Sequence, residues 1–173
     1  AGSTTKYRED TIVLDPREKK LGGRLVINLE KLYLSIKKLE LKLSKVNEYY
    51  SFSHNLGIPQ IDTEKLQNKL FGIECNFDEL NGLDFKKGCY VGQENTARIK
   101  LKDKLNKRLF AIRVVDGEIN SEEITLENKN IGKLLINNQN PFALLKLENK
   151  KFNFDVDLKC GDAKIRVLKP IWF

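Results

Sequence analysis

The run Lys87-Gly88-Cys89-Tyr90-Val91-Gly92-Gln93-Glu94 is the densest group of chemically distinctive residues in the chain. It follows neither the helical nor the strand period, and Glu74, Asp78, Asp84, Lys86 and Arg98 lie close to it. Periodic elements build scaffolds while loops aim groups at ligands, so residues 72–98 predict a binding loop carried by short elements. Gly88 and Gly92 permit tight turns or close backbone approach. Lys86, Lys87 and Arg98 are cations able to lower the pKa of the Cys89 thiol and favour the nucleophilic thiolate. Cysteine is also commonly a small buried apolar residue. Gln93 and Glu94 either hydrogen-bond a ligand or Arg98, or cap a helix beginning there. Tyr90 is either the wall of a site or a core aromatic.

Towards the amino end, residues 11–14 and 24–27 predict short strands, separated by a turn at Asp15-Pro16-Arg17 and a joint at Gly22-Gly23. A salt bridge between Asp15 and Arg17 is expected to fix that turn. Leu32, Ile36, Leu39 and Leu43 repeat at spacings of four, three and four, which predicts one amphipathic helix over 29–46. Tyr33, Leu34 and Leu41 widen its apolar face, so partial burial between layers is expected. Gly57-Ile58-Pro59 breaks the chain, and Asp62 or Thr63 is placed to cap a short helix with Leu66, Leu70 and Phe71. Ala1-Gly2-Ser3 reads as an expression-vector remnant and is set aside.

Towards the carboxyl end the texture becomes β-rich. Residues 108–115, then 131–136, 142–147, 152–158 and 165–168 read as strands, with a turn at Asp116-Gly117, which predicts a small antiparallel barrel or sandwich. The boundary falls near Asp103, dividing the chain into 4–103 and 104–173. Lys107 and Arg108 are read as a solvated strand end or as charge at the domain seam.

Composition narrows the function classes. With 173 residues, 40% hydrophobic and 32% charged, the chain has material for one or two cores and is not a disordered tail. No run approaches the roughly 20 apolar residues of a membrane span, and no cationic start is followed by an apolar segment. A cytoplasmic location is therefore expected, or a mitochondrial matrix one if the chain is eukaryotic, with no membrane partner. The net charge of +7 is dispersed among acidic residues, as in lysine-rich proteins of AT-rich genomes, and favours anionic partners only weakly. Cys75, Cys89 and Cys160 form no CxxC, and His54 is the single histidine. These ligands are too few for a disulfide framework, a closed four-ligand zinc site or a stable four-cysteine cluster within one copy. His54 is expected on the surface or packed, and Cys160 at a strand end.

The motif at 87–94 resembles the signature of YgfZ-type proteins, within the aminomethyltransferase-like superfamily. Asp15-Pro16-Arg17, Leu21-Gly22 with Arg24, Gly57-Ile58-Pro59, Glu74, Asp78, Leu80, Lys107-Arg108-Leu109, Ala143-Leu144-Leu145 and Pro170-Ile171-Trp172 resemble further signals of that group. Two departures accompany the resemblance: about a hundred residues that usually precede the Asp-Pro-Arg segment are absent, and Gly72 stands where a proline is common. The resemblance implies an α+β fold, an incomplete aminomethyltransferase-like folate-binding domain followed by a small antiparallel β-barrel. It further implies an accessory role in assembly or repair of iron–sulfur proteins, with a link to tRNA modification through cluster-dependent enzymes. Tetrahydrofolate or a related folate is the implied ligand, and iron–sulfur assembly proteins or client enzymes are the implied partners. Cys89 takes the role of functional thiol, its reaction unassigned, with Lys87, Gly88, Tyr90, Gly92, Gln93, Glu94 and Arg98 as ligand-binding residues and no metal ligands. The alternatives are a folate-dependent one-carbon transferase and an RNA-associated module. Direct nucleic-acid binding is not expected, and the oligomeric state is left open.

Overall fold

A computed structural model describes residues 4–7, 10–88, 93–101, 105–148 and 151–173. The chain opens with an antiparallel three-stranded sheet, β1 (Thr4–Tyr7), β2 (Asp10–Leu14) and β3 (Gly23–Val26), in sequence order. β1 adds a strand to the two expected from the sequence. The turn between β2 and β3 holds a short 3-10 helix, Lys19–Leu21, and Gly22 leaves it at φ +86°, in the left-handed region open to glycine.

The single helix expected over 29–46 is two. Helix α1 spans Leu29–Lys38 and α2 spans Val46–Asn55. α1 stops because Glu40 turns left-handed, at φ 51°. The Glu40 N–H then donates to the Lys37 carbonyl and the Leu41 N–H to that of Ile36, a Schellman closure of the orphaned carbonyls. The leucine spacing is continuous across this break, so periodicity conceals it. The expected partial burial holds for Leu32 and Ile36, which are half-buried beside the buried Ser35, and fails for the wider face, where Leu29 and Tyr33 are 80% and 74% exposed. The described residues leave Leu29, Tyr33 and Leu34 of that face uncovered.

α2 ends as Gly57-Ile58-Pro59 predicts. Gly57 takes φ +76°, its N–H donates to the His54 carbonyl, and the Ile58 N–H reaches that of Ser53. The 3-10 helix that follows stops at Leu66, short of the expected Leu70 and Phe71. Asp62 sits at its N-cap without a capping bond, because its carboxylate accepts from Lys65 and Asn138 instead. Turns occupy residues 72–81 and lead to Gly88; helix α3 then spans Gln93–Leu101.

The β-rich end is a closed antiparallel barrel of six strands: β4 (Lys107–Asp116), β5 (Ile119–Leu126), β6 (Lys129–Ile136), β7 (Phe142–Lys146), β8 (Asp157–Gly161) and β9 (Ala163–Val167). The order is β4-β7-β6-β5-β8-β9. Closure decides between barrel and sandwich and removes the free edges that a small sheet exposes. β5 escapes the sequence reading because Asn120, Ser121, Glu122 and Glu123 interrupt its alternation, and register irregularities accompany its pairing. The run 152–158 is not one strand, since β8 begins only at Asp157. Phe152 and Phe154 instead cluster with Phe110 and Phe173, with ring centroids 5.1–5.6 Å apart. The barrel interior is filled by Ile112, Ile124, Leu145, Leu158 and Ile165, among others.

β4 is long enough to serve both neighbours in turn. Residues 107–111 pair with β7, whereas 112–116 pair with β9. The first half therefore has an edge not met by β9, and the turns at 74–76 fill it. Leu109 and Ala111, on the outer side of β4, are buried with help from Leu66, Leu70 and Cys75. The expected boundary near Asp103 falls on 102–104, outside the described residues.

Candidate functional site

The region around the motif is organised by three charged clusters. At the amino-terminal turn, Asp15 is 2% exposed and receives two bonds from the Arg17 side chain, at 3.0 and 2.9 Å. Arg24 adds a further ion pair at 2.7 Å. The hydrogen bond from Arg17 holds the Asp15 carboxyl at about 2, below its usual 3.8, and the nearby Arg24 charge acts in the same direction. The Asp-Pro-Arg turn is thus a structural fastening, as its sequence predicts, with Arg24 added to it.

The second cluster ties the turns before the motif to the barrel. Asn76 is buried, takes a left-handed φ of 64°, and donates from Nδ2 to the Leu109 carbonyl at 2.8 Å. Its Oδ1 accepts from Arg108 at 2.9 Å, and Arg108 also pairs with Glu79 at 2.5 Å. The Leu109 N–H completes the joint by donating to the Glu74 carbonyl at 2.8 Å. Arg108 is therefore not a solvated strand end; it is drawn to the seam because Asn76 and Glu79 supply its partners.

The third cluster lies on α3. Lys100 donates to Asp78 at 2.7 Å and sits 4.0 Å from the centroid of Phe85. Arg98 pairs with Glu94, one turn earlier, at 3.2 Å.

Of the motif residues, Lys87 and Gly88 lie in the exposed turn before α3. A Cβ at Gly88 would meet no atom within 4 Å, so close backbone approach is not what glycine provides at this position. Gln93 is the first residue of α3, and Glu94 lies in its first turn with its carboxylate engaged by Arg98. Cys89, Tyr90, Val91 and Gly92 lie outside the described residues. The sequence reading omitted Asn76 and Lys100. Asn76 had a signal, as a polar residue amid Phe71, Ile73, Phe77 and Leu80 whose amide type tolerates positive φ; Lys100 is one lysine among many.

The other sulfurs are chemically quiet. Burial, with the Glu74 charge, raises Cys75 to about 11, and burial raises Cys160, whose Sγ lies 3.1 Å from the Ser121 carbonyl in the barrel. Both are held as thiols at neutral pH. His54 is packed: Nε2 lies 2.9 Å from the Pro141 carbonyl and the ring meets Phe142 edge-on. Burial lowers its pKa, so the neutral imidazole is favoured.

A cavity of about 510 Å³ opens beside Cys75, walled by Ile58, Leu66, Leu70, Phe77 and Leu80, with Arg17 at its border. No group of three or more His, Cys, Asp or Glu placed to hold a metal occurs among the described residues. No described helix is long and apolar enough to cross a membrane.

A mixed α/β segment leading into a closed six-stranded antiparallel barrel defines the class, an architecture consistent with an aminomethyltransferase-like fold and its barrel domain. Comparison with known proteins sharpens this. The chain is 37% identical over 103 residues to the mitochondrial iron-sulfur cluster assembly factor IBA57 homolog of Dictyostelium discoideum, covering 59% of this chain and 25% of the relative. It is 37% identical over 98 residues to the Neurospora crassa homolog, covering 57% of this chain and 22% of the relative. With the Homo sapiens factor, 31% identity extends over 105 residues, 61% of this chain and 29% of the relative. No family model matches the chain. Over this part of its length the chain is a homologue of the IBA57 factors, a YgfZ-related group with the aminomethyltransferase fold; the match spans about a quarter of those curated relatives. The comparison also corrects the expected cytoplasmic location, since these relatives are mitochondrial proteins.

Proposed function

We propose that the chain belongs to an accessory factor in assembly or repair of iron–sulfur proteins, acting through a loop that carries Cys89. The observation that carries this reading is the similarity to the IBA57 assembly factors, 37% identity over 103 residues in one case. The chemistry of the cysteines supports it. Cys75 is half-buried and Cys160 buried, and both are held protonated, whereas Cys89 has Lys86, Lys87 and Arg98 near it in sequence. Lys87, Gly88, Tyr90, Gly92, Gln93, Glu94 and Arg98 form the remainder of the proposed loop site, and 4–103 and 104–173 its two structural units. Assembly proteins or client enzymes are the partners, and cluster-dependent tRNA modification is one process served indirectly.

Tetrahydrofolate is the ligand class of this fold, and the described cavity does not match it by itself. A pterin edge is best met by a carboxylate, yet the cavity wall contains no acidic residue; its polar side chains are Thr63, Gln67 and Arg17, and Arg17 is committed to Asp15. No step of the proposal passes through folate. An RNA-binding role has less support, because the basic residues are interleaved with acidic ones along the sequence, and Lys65, Lys100, Lys133, Lys164 and Arg166 are each paired with an acid.

The test is the activity of a cluster-dependent enzyme in cells lacking the corresponding factor, supplied with the unmodified protein or Cys89→Ala at matched soluble levels. Restoration by the unmodified protein alone is expected. Equal restoration by Cys89→Ala removes the thiol role, and restoration by neither rejects the maturation role.

A further inference from the structure

The two described arms of the motif meet away from the motif itself. The incoming arm contains Phe85, and the outgoing arm is α3; residues 89–92 connect them in sequence. Phe85 lies against one face of α3, where it lines a shallow cavity with Ala97, Lys100 and Leu101. The Lys100 ammonium is 4.0 Å from the Phe85 ring centroid, within cation–π range. The same ammonium donates to Asp78 Oδ2 at 2.7 Å, bridging 22 residues of sequence. Beside Asp78, Glu79 pairs with Arg108, and Asn76 is bonded to both Arg108 and the Leu109 carbonyl. The contacts thus run from the barrel through Arg108 to the 76–79 turn, then through Asp78 to Lys100 on α3, with Phe85 held underneath.

We propose that Lys100, clasped between Asp78 and Phe85, is a positioning residue for the Cys89 loop, fixing the separation of its two arms against the barrel. The proposal rests on the functional reading of Cys89 but not on the reaction performed there. One cation satisfies both arms: the carboxylate selects its charge and the ring face its direction. Lys100 is 46% exposed and Asp78 31%, so the ion pair is solvent-screened and of modest strength. That suits a device that restricts a loop without supporting the fold, whose cores lie elsewhere.

The experiment compares the whole 173-residue chain with Lys100→Ala, Lys100→Arg and Asp78→Asn. Amide hydrogen exchange is followed by mass spectrometry, and the rate of Cys89 alkylation by iodoacetamide is measured against pH by peptide mapping. Lys100→Ala and Asp78→Asn are expected to speed exchange in residues 84–93 by roughly three- to tenfold. They are also expected to displace the Cys89 rate–pH profile, with barrel exchange unchanged, and Lys100→Arg is expected to restore both. Unchanged loop exchange and an unchanged profile in both variants overturn the proposal. So does equal acceleration across the barrel, which marks a general structural role. The cellular test separates the two readings: active Cys89→Ala with a displaced profile in Lys100→Ala rejects the thiol function and keeps the positioning role.

Discussion

Asn76 closes the open half of β4 by donating its amide to the Leu109 carbonyl at 2.8 Å, while Leu109 returns its own N–H to Glu74. One side chain thereby acts as a missing strand partner and also orients Arg108. Asn76→Ala removes two bonds and strands the buried Leu109 carbonyl, a loss of about 2–3 kcal/mol. Chemical denaturation measures it; a loss below about 0.5 kcal/mol contradicts the role given to Asn76.

Acid stability depends on Asp15. Its folded pKa of about 2 lies below the usual 3.8, so the unfolded chain binds the proton more readily between these values. The contribution is fully present above about pH 4 and is lost as pH falls towards 2, amounting to about 2 kcal/mol. Asp15→Asn is expected to be less stable at neutral pH and to show a flatter acid limb. An unchanged slope between pH 4 and 2 opposes the assignment.

His54, as the single histidine, supplies one imidazole signal for nuclear magnetic resonance. Burial lowers its folded pKa below 6.5, so folding favours the neutral ring. Its contribution is present above about pH 6.5 and declines as pH falls through the lower folded value. The titration midpoint is expected below 6.5; a midpoint above it contradicts the packing against Pro141 and Phe142.

The outer part of the apolar face of α1, at Leu29 and Tyr33, behaves as surface in this chain. Leu29→Ser and Tyr33→Ser are expected to shift stability by less than about 0.5 kcal/mol each, because neither side chain leaves water on folding. Thermal unfolding at several protein concentrations checks this, and a loss of about 2 kcal/mol shows that the face is covered in solution.

Several elements were legible because their causes are local. Gly57-Ile58-Pro59 contains its own helix stop, Asp15-Pro16-Arg17 its own turn and ion pair, and the alternation in β4, β6, β7 and β9 marks a β-rich end. Helix 29–46 misled because leucine spacing records a periodic face, not the backbone reversal at Glu40. β5 was hidden because its partners are supplied by β6 and β8, which satisfy a polar segment that has weak strand character alone.

Strand-like periodicity marked the antiparallel β-rich end directly, and the resemblance carried by the motif implied the α+β class; the loop around Cys89 lies outside the described residues and rests on the motif alone. Ring closure, the plug of Phe110, Phe152, Phe154 and Phe173, and the role of Asn76 at β4 became visible only in three dimensions. Each depends on groups far apart in sequence meeting at one distance and orientation. Lys100 shows the difference: among many lysines it is unremarked, and its place between Asp78 and Phe85 exists only once α3 has folded back beside the turn.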